Sequence, residues 1–189
     1  GAGNLPVSVK TRIGYNKNEL ETWIPALLEE KPAALTIHAR TRREMSKVPA
    51  RWDHVKRVVE LRDQISPETL IIGNGDALSI ADARKKIEMS GADGVMLGRA
   101  IFGNPWMFAE KIPTLSEKFS ALLEHTKFFS ELLGDIKNFA IMKKHYKAYV
   151  EGFPGAKELR VKLMEASDYM EVETLVKEFV NTERVVDSK

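Results

Sequence analysis

Two short stretches carry the residue types that anion chemistry needs. Gly73-Asn74-Gly75-Asp76 and Gly98-Arg99 each close an apolar run, Thr69-Leu-Ile-Ile72 and Gly94-Val-Met-Leu97. Glycines let backbone N–H groups approach a phosphate, a following helix N-terminus faces it, and an arginine adds a bidentate cationic contact. Either stretch alone reads equally as a tight turn or a surface charge. The pair, at the ends of successive apolar segments, favours a phosphate site. Lys10 alternates with Val7 and Val9 and so shares the opposite face with Ser8. A lysine there can hold the ring carbonyl or anionic ring nitrogen of a cofactor; taken alone it reads as a solvated edge lysine. His38 follows Leu35 and Ile37, as a core histidine would, but Arg40 and Arg42 beside it point to a polar mouth. His54, His125 and His145 share no ligand spacing and there is no cysteine, so neither a metal centre, a disulfide nor a thiol nucleophile is expected.

Cations gather in two places. Arg40, Arg42, Arg43, Lys47 and Arg51 face the single acid Glu44, and Lys137, Lys143, Lys144 and Lys147 stand in a stretch without acids. The whole chain has 29 Lys and Arg against 27 Asp and Glu, a net charge of +2. The patches are therefore local features on a neutral background, and each is also what a solvated surface looks like.

These residues need a scaffold that brings strand ends together. The segment Pro6 to Ile13 alternates like a strand, and Lys17 to Glu30 follows as a helix with Leu20, Trp23, Ile24, Leu27 and Leu28 on one face. Three further units repeat the plan: Ala34 to His38 with a helix from Asp53 to Asp63, Thr69 to Ile72 with a helix from Ser79 to Ser90, and Gly94 to Leu97 with a short piece near Pro105-Trp106. Ser79 with Asp82, and later Thr114 with Glu117, have the spacing of helix caps. Four strand-then-helix units in succession require a parallel sheet, so the class is α/β, and polar residues at the strand ends mark the edge where such sheets do chemistry. A (β/α)8 TIM barrel takes roughly 250 residues; four units are half of one, and the missing half is expected before Gly1. Beyond Pro113 only helical patterns remain, over Thr114–Gly134, Ile136–Gly152, Ala156–Ser167 and Val172–Val180, an all-α helical bundle. The expected domains are 1–112 and 113–189. No apolar run approaches the roughly 18 to 20 residues of a membrane span.

The order Val-Ser-Val-Lys-Thr-Arg-Ile-Gly (7–14), Thr-Ile-His-Ala-Arg-Thr-Arg (36–42), Ile-Gly-Asn-Gly-Asp (72–76) and Gly-Val-Met-Leu-Gly-Arg-Ala-Ile-Phe-Gly-Asn-Pro-Trp (94–106) resembles the tRNA-dihydrouridine synthases. The resemblance continues through Lys143-Lys-His-Tyr146, Tyr149, Gly152-Phe-Pro-Gly155 and Glu158-Leu-Arg160. It implies the C-terminal half of a flavoprotein TIM barrel followed by a helical tRNA-binding domain, in a cytoplasmic enzyme where NADPH reduces FMN and FMN reduces a uracil of tRNA to dihydrouracil. By matching position, Lys10 would contact the flavin ring, His38 would lie beside the cofactor, and Asn74, Gly75, Asp76, Gly98 and Arg99 would hold the FMN phosphate. The resemblance makes Arg40, Arg42, Arg43, Lys47 and Arg51, and Lys143, Lys144 and Lys147 near Tyr146 and Tyr149, tRNA contacts. The family's general acid is a cysteine on the loop after the fourth barrel strand; with none here, the chain reads as a fragment whose catalytic acid lies upstream. Two alternatives stay open: another FMN-barrel oxidoreductase acting on a small molecule, and an RNA-binding module without turnover. A half barrel also exposes a strand edge, which predicts dimerisation or aggregation.

Overall fold

The computed structural model describes residues 3–186. The chain divides into two compact units, Gly1–Ala100 and Ile101–Lys189.

In the first unit, strands β1 (Ser8–Arg12), β2 (Ala34–His38), β3 (Leu70–Asn74) and β4 (Gly94–Met96) alternate with helices α1 (Leu20–Glu29), α2 (Trp52–Ile65) and α3 (Ile80–Ser90). All neighbouring pairs are parallel and the sheet order is β1-β2-β3-β4. Each strand lies beside its predecessor, so every crossover turns the same way and the helices collect on one side. That side is apolar: Leu20, Ile24 and Leu28 of α1 and Val55, Val58 and Leu61 of α2 bury against Leu35, Ile37 and Ile71, with Val9 and Val95 packed alongside. The alternate residues Lys10, Arg12, Thr36, His38, Ile72 and Asn74 therefore belong to the other face. Among the described residues, β1 and β4 pair on one side only.

The strand and helix order agrees with the expected α/β plan, and the differences lie at element ends. Helix α1 begins at Leu20 rather than Lys17, because Asn18 Oδ1 accepts the Leu20 N–H at 3.0 Å and ends the turn there. Trp23, expected on the buried face, is 45% exposed; its Nε1 donates to Thr11 Oγ1 at 2.9 Å. Ser79 caps α3, accepting from the Asp82 N–H at 3.1 Å, and Gly91 ends that helix in the left-handed conformation.

The second unit holds α4 (Leu115–Leu133), α5 (Ala140–Tyr149), α6 (Ala156–Glu165) and α7 (Tyr169–Val186). Contacts run α4 to α5, α5 to α6, α6 to α7 and α7 back to α4. Phe119, Leu122, Phe129, Met142, Tyr146, Leu159, Leu163, Val172 and Val176 fill the space they enclose. Thr114 and Glu117 form the expected reciprocal cap of α4. Helix α5 starts four residues later than expected because Asn138 Oδ1 captures the Ala140 N–H at 2.8 Å. Helix α7 starts earlier than Val172, since Asp168 Oδ1 accepts from Glu171 N–H at 2.9 Å. No helix among the described residues is long and apolar enough to cross a membrane.

Candidate functional site

Register assembles the site. Arg12 pairs with His38, His38 with Asn74, and Asn74 with Met96, so one row crosses the C-terminal edge of the sheet from β1 to β4. Lys10 lies two residues below Arg12 on the same face. Over this row opens a cleft of about 610 Å³ lined by Arg12, His38, Arg40, Asn74–Asp76, Gly98 and Arg99 among others. Asn74 Nδ2 donates to the Met96 carbonyl at 2.8 Å and ties the ends of β3 and β4 together. Gly75 takes φ +122, and a Cβ there would stand 2.8 Å from Ala50 Cβ. Its carbonyl accepts from Trp52 Nε1 at 2.9 Å, which fixes the turn to the start of α2.

Asp76, itself at positive φ, is the hub. Its carboxylate accepts from Arg40 Nη2, from the Ala50 N–H at 2.8 Å and from Arg99 Nη2 at 3.2 Å. The Arg40 hydrogen bond, with the Ala50 amide and Arg99 behind it, holds this carboxyl below its usual range. An ionised carboxylate repels a phosphate. The side chain of Asp76 holds Arg40 and Arg99, both of which line the cleft.

Arg40 also departs from expectation. Grouped with the outward cations, it is 3% exposed. Its Nε donates to the Val48 carbonyl at 2.6 Å and its Nη1 lies 3.3 Å from His38 Nε2. It is a buried structural cation, not a surface contact. Burial, then Arg12, Lys10 and Arg40, lower the His38 pKa to about 4, so the ring is neutral near pH 7. Burial and then Arg12 lower Lys10 as well. Arg99 keeps 68% of its side chain exposed while touching Asp76. Arg12, absent from the expected site, belongs to it: it stands two residues from Lys10, and the same period-two reasoning that placed Lys10 places Arg12. Its Nη1 donates to the Thr41 carbonyl at 3.0 Å.

Arg42, Arg43 and Lys47 are exposed on the loop after β2. The backbone N–H groups of Arg42 and Arg43 donate to the carbonyls of Gly14 and Tyr15 at 3.0 and 2.9 Å, so this loop is zipped to the one after β1. Arg51 is half-buried and bonded to Glu44 at 2.8 Å. In the second unit, Lys144 and Lys147 are exposed and Lys143 half-buried along α5. Tyr146 and Tyr149, expected near these lysines, are core residues instead: Tyr146 is fully buried and Tyr149 nearly so, with Tyr149 Oη 3.1 Å from His125 Nδ1. No group of three or more His, Asp or Glu that could hold a metal occurs among the described residues.

A parallel α/β sheet with a cationic, glycine-bearing cleft over its C-terminal strand ends is the architecture of the α/β proteins whose sites lie at that edge. Within that class the chain belongs to the dihydrouridine synthase (Dus) family, whose model matches residues 1–184. It is similar to a probable tRNA-dihydrouridine synthase of Staphylococcus aureus (strain MRSA252), 43% identical over 186 residues that cover 94% of this chain and 56% of that protein. A probable tRNA-dihydrouridine synthase of Staphylococcus epidermidis (strain ATCC 12228 / FDA PCI 1200) is 41% identical with the same coverage. Probable tRNA-dihydrouridine synthase 2 of Bacillus subtilis (strain 168) is 39% identical over 183 residues, 94% of this chain and 56% of that protein. The chain thus spans about half the length of these curated relatives.

Proposed function

We propose that this chain is the flavin- and RNA-binding part of a tRNA-dihydrouridine synthase, comprising the second half of a TIM barrel (1–112) and a helical tRNA-binding domain (113–189). The observation that carries the reading is the row Arg12, His38, Asn74 and Met96 under a cleft with Lys10 below it, in a chain of the dihydrouridine synthase family. FMN, when bound, supplies hydride chemistry toward a uracil, with NADPH as the source of electrons. The residues fit such a group. A Cβ at Gly98 would meet nothing within 4 Å, so there is room for a phosphate against the backbone, and Arg99 stands beside it. Gly75 keeps the Asn74–Asp76 turn close to the sheet, and Lys10 and Arg12 supply positive charge where an anionic flavin ring needs it. His38, kept neutral by its cationic neighbours, donates or accepts a hydrogen bond without adding charge.

Arg42, Arg43 and Lys47, exposed on the loop after β2, present charge to tRNA phosphates, with Arg51 beside Glu44; in the helical unit, Lys143, Lys144 and Lys147 of α5 offer a second cationic surface to tRNA. Arg40 leaves that set. The chain has no cysteine, so its part in the reaction is cofactor and RNA binding rather than proton donation to the uracil. The outward lysines of α5 favour an RNA substrate over a small molecule. The test is direct: the protein purified in its full natural length carries a flavin absorbance band, Arg99→Ala weakens FMN retention, and Arg42→Ala with Arg43→Ala weakens tRNA binding and flattens its salt dependence. Full-length protein that neither retains nor binds FMN overturns the reading.

A further inference from the structure

The contact between Arg40 and His38 decides where the imidazole keeps its proton. A guanidinium carries donors only. With Arg40 Nη1 3.3 Å from His38 Nε2, that nitrogen has to present its lone pair, and the single proton of the neutral ring then sits on Nδ1. Neither partner is free to turn. Arg40 is pinned by the Val48 carbonyl at 2.6 Å and by the Asp76 carboxylate, and Asp76 is itself fixed by the Ala50 N–H at 2.8 Å. The ring packs on Gly75, where an added Cβ would come within 3.1 Å of His38 Cδ2 and 3.4 Å of Nε2. The charged groups around the imidazole are Arg12, Lys10, Arg40 and Asp76, three cations to one anion, so a second ring proton is disfavoured.

We infer that Arg40 is a positioning residue that holds His38 in its Nδ1–H tautomer, so that the wall of the cleft offers a neutral hydrogen-bond donor to an acceptor atom of the ligand. The ligand's identity rests on the flavin reading; the tautomer does not. Neutral histidine side chains in water favour Nε2–H, so Arg40 reverses the ring's intrinsic preference.

The test is a long-range proton–nitrogen correlation spectrum of protein labelled with 15N-histidine, with His38 assigned by its loss in His38→Gln. The expected wild-type pattern is a protonated Nδ1 and a lone-pair Nε2 across the neutral range. Arg40→Met shifts the population to Nε2–H, Arg40→Lys restores the wild-type pattern because an ammonium is also a donor only, and Asp76→Asn produces a mixture by loosening the guanidinium. An Nε2–H signal in wild-type protein, or an unchanged tautomer in folded Arg40→Met, overturns the inference. Should Arg40→Met fail to fold, the wild-type pattern and Asp76→Asn decide. No ligand is needed, so an Nδ1–H signal in protein that binds no FMN keeps the inference and sinks the flavin reading, and Nε2–H in protein that does bind FMN does the reverse.

Discussion

The two ends of the sheet are built from the same device and put it to different use. At the N-terminal end, Arg62 of α2, 8% exposed, donates to Asp93 and to the Thr69 carbonyl, both at 2.8 Å. Asp93 also accepts the Ile71 N–H at 2.7 Å. At the C-terminal end, Arg40 donates to Asp76, and Asp76 accepts the Ala50 N–H at 2.8 Å. Each is a buried arginine held by a carboxylate that also ties down a backbone amide. The surroundings differ in charge. Arg62 has two acids, Asp63 and Asp93, whereas the carboxylate of Asp76 faces two arginines, Arg40 and Arg99, and Arg12 and Lys10 add their charge around the adjoining His38. One end is neutralised and closed by the Ser66–Thr69 hydroxyl pair and the Thr69 bond to the Pro32 carbonyl. The other keeps surplus positive charge under an open cleft, the electrostatic condition for holding an anion. Stability at one end of parallel strands and binding at the other is the division of labour such sheets allow.

Removing either arginine has the largest expected effect. Cutting a buried pair by deleting one partner costs about 3–5 kcal/mol, and partners that are a third exposed place both at the low end, about 3 kcal/mol; the side chains of Asp76 and Asp93 are 32% and 33% exposed. Arg40→Met and Arg62→Met should therefore shift the denaturant midpoint by similar amounts. Their effects on FMN affinity should part: Arg40→Met lowers it and Arg62→Met leaves it within about twofold, less than half a kcal/mol. Equal losses of affinity in both would mean that the ends are not functionally distinct.

Glycines give the next test. At the C-terminal end, Gly73→Ala drives a Cβ to 2.3 Å from Trp52 Cζ3, and Gly75→Ala to 2.8 Å from Ala50 Cβ at φ +122. Overpacking of this kind costs about 1–3 kcal/mol, and the Gly75 change also displaces His38. At the N-terminal end, Gly91→Ala meets only Val59 Cγ1 at 3.6 Å, an ordinary contact, and carries the left-handed penalty of about 1 kcal/mol alone. Urea unfolding of the three variants should rank them in that order, with Gly91→Ala the mildest.

What could be read from the sequence divides along the same line as the two ends. Local devices were legible, because both partners lie within a few residues: the Ser79 cap, the Thr114–Glu117 box, and the alternation that sets Lys10 opposite Val9. The row of strand ends was legible too, since four apolar runs of similar length each finish in polar residues. Arg40 was not. In sequence it is one of five cations around a single acid, and its burial depends on Asp76, 36 residues away. Tyr146 and Tyr149 were misplaced for a related reason. On α5 the lysines and tyrosines interleave, and only packing against α4 and α6 shows which stripe turns inward. The start of α5 was hidden because Asn138 caps the N–H two residues on, without the paired glutamate spacing that marks Ser/Thr boxes. Asp168 with Glu171 has that spacing, and the start of α7 was obscured instead by the polar run Ser167-Asp168 ahead of the apolar periodicity that begins at Val172.

Acid separates the ends by charge type. The His38 pKa falls from 6.5 to about 4 on folding. Between those values the unfolded chain binds a proton that the folded chain does not, so the contribution of His38 is complete above 6.5 and is lost as pH falls to about 4. Asp76 and Asp93, both held below 3.8 by their arginines and backbone amides, add their losses only below that value. His125 and His145 in the second unit are lowered as well, by burial first, and lose stability in the same direction below 6.5. Melting temperatures of wild type and His38→Gln should therefore converge as pH falls from above 6.5 toward 4. Curves that stay parallel would remove His38 from the acid response.

Gly98→Ala has the smallest expected effect on stability and is for that reason the cleanest probe of the cleft. The residue is exposed, its φ lies outside the left-handed range, and an added methyl touches nothing within 4 Å. A surface change of this kind stays within about 0.5 kcal/mol. If the backbone at Gly98 faces a phosphate, the same methyl occupies the space the anion needs, and FMN affinity should drop by about tenfold, or 1.4 kcal/mol, with the unfolding curve unmoved. Loss of stability without loss of affinity would assign Gly98 to packing, as at Gly73, and would move the phosphate contact to the turn at Asn74–Asp76, where the arginines held by Asp76 already converge.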